Sequence, residues 1–363
     1  MSATIDHQFA AAPVPDPDAT AADLRPRWLE PLLLFVVAVV AAIAAAQSWN
    51  RWLDPIVDTG RDLYIPEQLL RGAKLYRDIR YQYPPLAPYL LAAITACIGH
   101  SLAAYTAIGI AQSTAVVAGL WVSLRSVAGV LAAFVASLFF VSLSFCGATT
   151  WGANFIFPYS YASTLGMVFL VTALAGFVHG RNVISLVALL LAGWCKIEYA
   201  IAALLIVAVL FAIRRLSWRQ LSGFVAAAAS SLAGVAAYFR DTNWLRGNLF
   251  ASSLTEGATA RRFFSVVSGQ AEWAMNLGQA LAGMALIAAI IFAIRLNRLL
   301  WTVPLVLLLS VVGASHGFLR AWGLLEWIIL LALLRKRRQD PLLLFALFSV
   351  ATTLRVPLNV SPF

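Results

Sequence analysis

The chain has 363 residues, of which 61% are hydrophobic and 12% charged, with a formal net charge of +10. A mean hydropathy of +0.83 excludes a soluble globular protein, which could not hide that much apolar surface. Nor is the positive charge a nucleic-acid signature: the basic residues stand in short clusters between apolar runs, as the positive-inside bias expects, so no nucleic-acid partner is expected.

Residues 1–27 are rich in Ala, Pro and Asp and read as a disordered tail, not as a signal peptide. Arg25 and Arg27 precede the first apolar run, which places that tail in the cytoplasm. Residues 28–363 then form one membrane domain. Apolar runs recur near 31–49, 103–124, 127–145, 159–178, 183–195, 199–213, 220–238, 280–294, 299–314, 321–334 and 341–354; the early ones have the length a bilayer-crossing helix needs, whereas the runs after 183 are short for spans. Because a backbone in lipid must satisfy its own hydrogen bonds, the expected fold is all-α: a polytopic transmembrane bundle of about 11 spans.

Orientation follows from parity. Basic clusters at His179–Arg181, Arg214–Arg219, Arg295–Arg298 and Arg335–Arg338 are all cytoplasmic if the runs between them pair off, and they do. That puts residues 50–85 on the extracytoplasmic side. It also makes the weaker apolar stretch 86–99 a short interfacial or re-entrant helix; the competing reading is that 86–99 crosses and a later run does not. The domain ends at Arg355–Phe363 without a basic stop, as a truncated product or fragment would.

Carboxylates are scarce, 16 in all. Asp54, Asp58, Asp62, Glu67 and Asp78 fall in the first extracytoplasmic loop. Pro66 followed by Glu67 fits a helix start and Gly72 its end, so a short juxtamembrane helix is predicted over 66–71. Its Leu and Tyr residues give it an apolar side, and Tyr81, Tyr83, Pro84 and Pro85 stiffen the exit. Such a ledge suits a lipid substrate with a polar head. A carboxylate there could serve as general base for an acceptor hydroxyl. Asp58 is the first candidate, with Gly60 leaving it reachable; Asp62 is a second acid or a partner of Arg61. Arg61, Arg80, Lys196, Arg320 and Arg355 are candidates for holding a phosphate, with Lys196 and Arg355 ranked first because both fall near extracytoplasmic helix ends.

Asp58-Thr-Gly-Arg61-Asp62, Gly72-x-x-Leu75-Tyr76-x-Asp78 and Tyr83-Pro84-Pro85-Leu86 resemble the first outer loop of the GT-C integral-membrane glycosyltransferases. The bacterial relatives of protein O-mannosyltransferase and of the lipid A aminoarabinose transferase are nearest in pattern. Asn154-Phe-Ile-Phe-Pro158-Tyr159-Ser160 resembles a polar turn of those relatives, and Lys196-Ile-Glu198 their Lys-x-Glu turn.

The resemblance implies a glycosyltransferase of the cytoplasmic (inner) membrane. Sugar would move from a polyprenyl-phosphate donor to a glycan, lipid or protein acceptor on the extracytoplasmic side. Asp58 would act as base or position the acceptor, and Asp78 would be the second acidic residue. Arg61, Asp62, Arg80, Tyr83, Asn154, Tyr159, Lys196, Glu198 and Arg355 would bind substrate. Some relatives use a divalent metal, but no His/Asp cluster here has ligand spacing, so no metal or other cofactor is expected. Competing roles remain open: a turn cap for Asp78, mutual pairing for Lys196 and Glu198, and satisfaction of buried backbone for Asn154 and Tyr159. The competing functions are a transporter or flippase of lipid-linked glycans and a non-catalytic envelope-assembly protein.

Overall fold

The computed structural model describes residues 28–48, 58–145, 154–158, 160–240, 273–296, 298–313, 329–335 and 341–353. Among them the chain is helical, with no strand beyond one isolated bridge between Leu75 and Ile79. In chain order the helices are α1 Leu29–Ser48, α2 Asp58–Leu70, α3 Leu86–Ile98, α4 Leu102–Ala128, α5 Val130–Ser144 and α6 Tyr161–Val178. There follow α7 Asn182–Cys195, α8 Ile197–Ala212, α9 Trp218–Tyr238, α10 Trp273–Arg295, α11 Leu299–Gly313 and α12 Leu342–Thr353. A further helical stretch covers 329–335.

Among the described residues four helical segments are long and apolar enough to cross a membrane: Leu29–Gln47, Leu102–Ala128, Tyr161–Val178 and Trp218–Tyr238. Other apolar runs fold as shorter helices. α7 has 14 residues and α8 has 16, which at 1.5 Å per residue gives about 21 and 24 Å against a hydrocarbon core of about 30 Å.

Two apolar bodies form the bundle. One joins α1, α4, α5, α10 and α11 around Phe134, Leu138 and Val141. The other joins α6, α7, α8 and α12 around Leu189, Ile206 and Leu347. Small residues let α6 sit close to its neighbours, as membrane helices require when apolar burial alone gives no drive. A Cβ on Gly166 would meet the Tyr199 ring, and one on Gly119 of α4 would meet Val171.

α4 and α6 run parallel: Tyr161 Oη donates to the Tyr105 carbonyl, Thr164 bonds Gln112 further along, and Gly119 meets Val171 beyond that. Both start beside α2, because Tyr105 Oη donates to Leu63 O at 3.3 Å and Tyr161 N to Asp62 at 2.8 Å. α1 starts at the opposite end, where Glu30 pairs with Arg125 near the end of α4 at 2.9 Å. α3 therefore does not run the length of the bundle. It lies along the ledge end, with Ala87 packed against Ala162 and Leu91 against Tyr105 and Tyr161. The turns at His179–Arg181 and Arg214–Arg215 lie at the far ends of α6 and α8. Basic turns and ledge thus occupy opposite ends.

The ledge helix differs from its expected form. α2 begins at Asp58 and carries Pro66 inside it. An interior proline forfeits a backbone bond and costs about 3 kcal/mol. Anchors on the two turns before it offset that cost: Thr59, Asp62 and Leu63 each bond to α4, α6 or the turn preceding α6. After Gly72 the chain folds back through Tyr76, whose φ of 65° is unusual for an aromatic residue. Its ring packs edge-on to Phe239 at 4.9 Å and its hydroxyl donates to Tyr83 O at 2.6 Å, which holds that conformation.

Gly109 on α4 is the tightest approach near the site, because a Cβ there would overlap the Ile156 carbonyl. Gly109→Ala should displace the Asn154–Pro158 turn and destabilise the chain by about 1–3 kcal/mol, the ordinary cost of overpacking. Denaturant unfolding in detergent measures this; an unchanged midpoint would mean the turn yields freely.

Candidate functional site

The site grows from the way α2 is held. Thr59 Oγ1 donates to Pro158 O at 3.4 Å. Asp62 Oδ2 accepts from Tyr161 N, the first residue of α6, at 2.8 Å. Ser160 precedes α6 without a side-chain cap bond. Asp62 thus supplies from another helix the carboxylate that a helix N-terminus favours, both for its free N–H groups and for its dipole. The turn leading into α6 is fixed by Asn154, whose Oδ1 accepts from Ile156 N at 2.8 Å and Phe157 N at 3.1 Å.

Asp62 is 4% exposed. Burial pushes its carboxyl above the ordinary carboxylate range; Arg61, the Tyr161 N–H and Lys196 pull the other way. Arg61 Nε reaches Asp62 Oδ1 at 3.3 Å. Lys196, between α7 and α8, is 1% exposed. Its Nζ lies 4.6 Å from the centre of the Tyr83 ring, and the Arg61 guanidinium lies 5.2 Å from the same ring and 6.0 Å from Tyr81. Two cations and one carboxylate are thus gathered under a wall of tyrosines. A buried ammonium is costly unless balanced; here an anion and an aromatic face balance it. The crevice beside Asp62, walled by Ile65, Pro66, Tyr81, Pro88 and Ala162, is too narrow for a water molecule.

The expected site residues therefore divide. Arg61, Asp62, Tyr83 and Lys196 come together. Asp58 opens α2, one turn before Asp62, and its side chain lies outside the described residues. Glu198 falls in the first turn of α8, beside Lys196. Asp78 has the geometry of a turn cap: its Oδ2 accepts from Lys74 N at 2.8 Å, both oxygens take Arg77 at 2.9 Å, and these bonds lower its carboxyl to about 2. Asn154 serves the backbone of its own turn. Arg80 is exposed on the ledge. Tyr159 and Arg355 lie outside the described residues. Sequence reasoning overlooked Tyr81, Tyr161 and Gly109 as parts of the site; their roles depend on partners tens of residues away, and no local motif marks them.

Among the described residues no group of three or more His, Cys, Asp or Glu side chains could hold a metal ion. Two cationic groups of different geometry thus share one aromatic wall, beside the helix that carries Asp62. No family profile, no curated protein and no solved structure matches this chain.

Proposed function

We propose that the chain is a membrane glycosyltransferase that moves a sugar from a polyprenyl-phosphate donor to an acceptor on the extracytoplasmic side of the cytoplasmic membrane. The observation that carries this reading is the pair Arg61 and Lys196 over the single Tyr83 ring, next to the ledge helix that Asp58 opens. In this reading the two cations hold the phosphate as it becomes the leaving group. Arginine gives a planar fork and lysine a point charge, a complementary pair for phosphate oxygens. Asp62 is already committed to Tyr161 N and Arg61, which leaves Asp58 to take the acceptor proton.

Segregation of charge supports an enzyme over a transporter. The titratable centre lies at the ledge end, whereas a transporter would carry such groups at mid-membrane depth on broken helices.

The reaction is tested in proteoliposomes holding the full chain, labelled polyprenyl-phosphate sugar and envelope extract as acceptor. The wild-type chain should release polyprenyl phosphate as the label moves. Lys196→Met should raise the donor KM about 10- to 100-fold, the loss of one charge-assisted hydrogen bond. No transfer by the wild-type chain, or an unchanged donor KM in the variant, would refute the reading.

A further inference from the structure

A second feature of the ledge end plays no part in that reaction. Beside the tyrosine wall lies a groove of about 440 Å³, formed where the start of α3 meets the ends of α7 and α9. Leu86 and Tyr89 line it from α3, Trp194 from α7, and Gly234, Val235 and Tyr238 from α9. The polar groups in these walls are turned to one another: Trp194 Nε1 donates to Ser231 Oγ at 3.0 Å, and Tyr89 meets Tyr238 edge-on at 6.4 Å. α9 shows much of its outer side, with Val225, Leu232 and Tyr238 about half exposed. The groove therefore opens along a helix of membrane-spanning length.

A cation stands at its rim. Lys74 Nζ lies 5.4 Å from the Tyr238 ring centre. The neighbouring ledge charges are used elsewhere: Arg71 pairs with Glu67 and Arg77 with Asp78. Asp78 also takes the Lys74 backbone N–H, while the Lys74 ammonium enters no ion pair among the described residues.

We infer that this groove holds one acyl chain of an anionic phospholipid, with the headgroup phosphate at Lys74. Lining sets the chain: an apolar groove of about 440 Å³ walled by Leu86, Leu191, Trp194 and Val235 takes an aliphatic chain. Charge sets the head: a lysine above an apolar slot favours an anionic lipid over a zwitterionic one. None of Arg61, Tyr83 and Lys196 lines the groove.

Trp194 is the reporter. The full chain goes into nanodiscs carrying phosphatidylglycerol or phosphatidylcholine with brominated acyl chains, and Trp194→Phe supplies the background from the other tryptophans. Phosphatidylglycerol should quench Trp194 at about one fifth of the mole fraction that phosphatidylcholine needs, the weight of one lysine at an anionic surface. Lys74→Gln should make the two lipids equal. Gly234→Leu adds a side chain where nothing lies within 4 Å of the Cβ position, so the helix tolerates it; it should fill the groove and abolish Trp194 quenching by either lipid. Equal quenching by the two lipids in the wild-type chain overturns the inference, as does undiminished quenching in Gly234→Leu. Release of the brominated lipid by equimolar polyprenyl phosphate overturns it too, and would give the groove to the donor.

Discussion

Asp62→Ala should destabilise the chain by about 3 kcal/mol, the scale for removing one partner from a buried charged network. The substitution frees Tyr161 N at the start of α6 and removes one of the charges facing Lys196. It also cuts a tie across 99 residues that helps hold α2 helical in spite of Pro66. Asp62→Asn keeps an acceptor for the Tyr161 N–H and should lose only about 1 kcal/mol. Chemical denaturation in detergent separates the two. Equal losses would mean that charge, not the cap, holds the ledge. The pH dependence has a definite sign. Because burial raises the folded-state pKa of Asp62 above 3.8, the folded chain binds this proton more tightly than the unfolded chain. The group's contribution is fully present below pH 3.8 and is lost as pH rises through the raised value. Asp62→Asn should flatten that part of the stability profile.

Asp58→Asn should lower the rate of sugar transfer by about 10²- to 10⁴-fold, the range for a general base, with little change in folding. Asparagine remains a good residue at a helix start, so α2 should form in the variant. The donor KM should stay near the wild-type value, because phosphate binding is assigned to Arg61 and Lys196. A variant that transfers at the wild-type rate removes Asp58 from the chemistry. One that transfers slowly but also unfolds more easily assigns Asp58 to the ledge's structure.

The helical character was legible because apolar runs are local signals, while of the eleven expected spans four described helices are long and apolar enough to cross a membrane. The run 86–99 is weaker than its neighbours, and the helix there lies along the ledge with Ala87, Leu91 and Thr95 buried against other helices. The start of α2 was not legible. Pro66 looks like a first-turn residue, and only the distant bonds of Thr59, Asp62 and Leu63 make the preceding turns helical. Nor could spacing tell that Asp62 caps α6, or that Lys196 is buried under Tyr83, since both facts depend on how helices far apart in sequence pack. Asp78 and Asn154 show the opposite lesson: polar residues in a motif-like setting whose bonds serve their own turns.

The central claim is transfer of a sugar by this chain at the cell envelope. Its most direct test is the envelope glycan profile of a strain lacking the gene, given back either the wild-type chain or Asp58→Asn at matched expression. The account predicts that a sugar is lost on deletion, restored by the wild-type chain and not restored by Asp58→Asn. Restoration by Asp58→Asn as complete as that by the wild-type chain would contradict it.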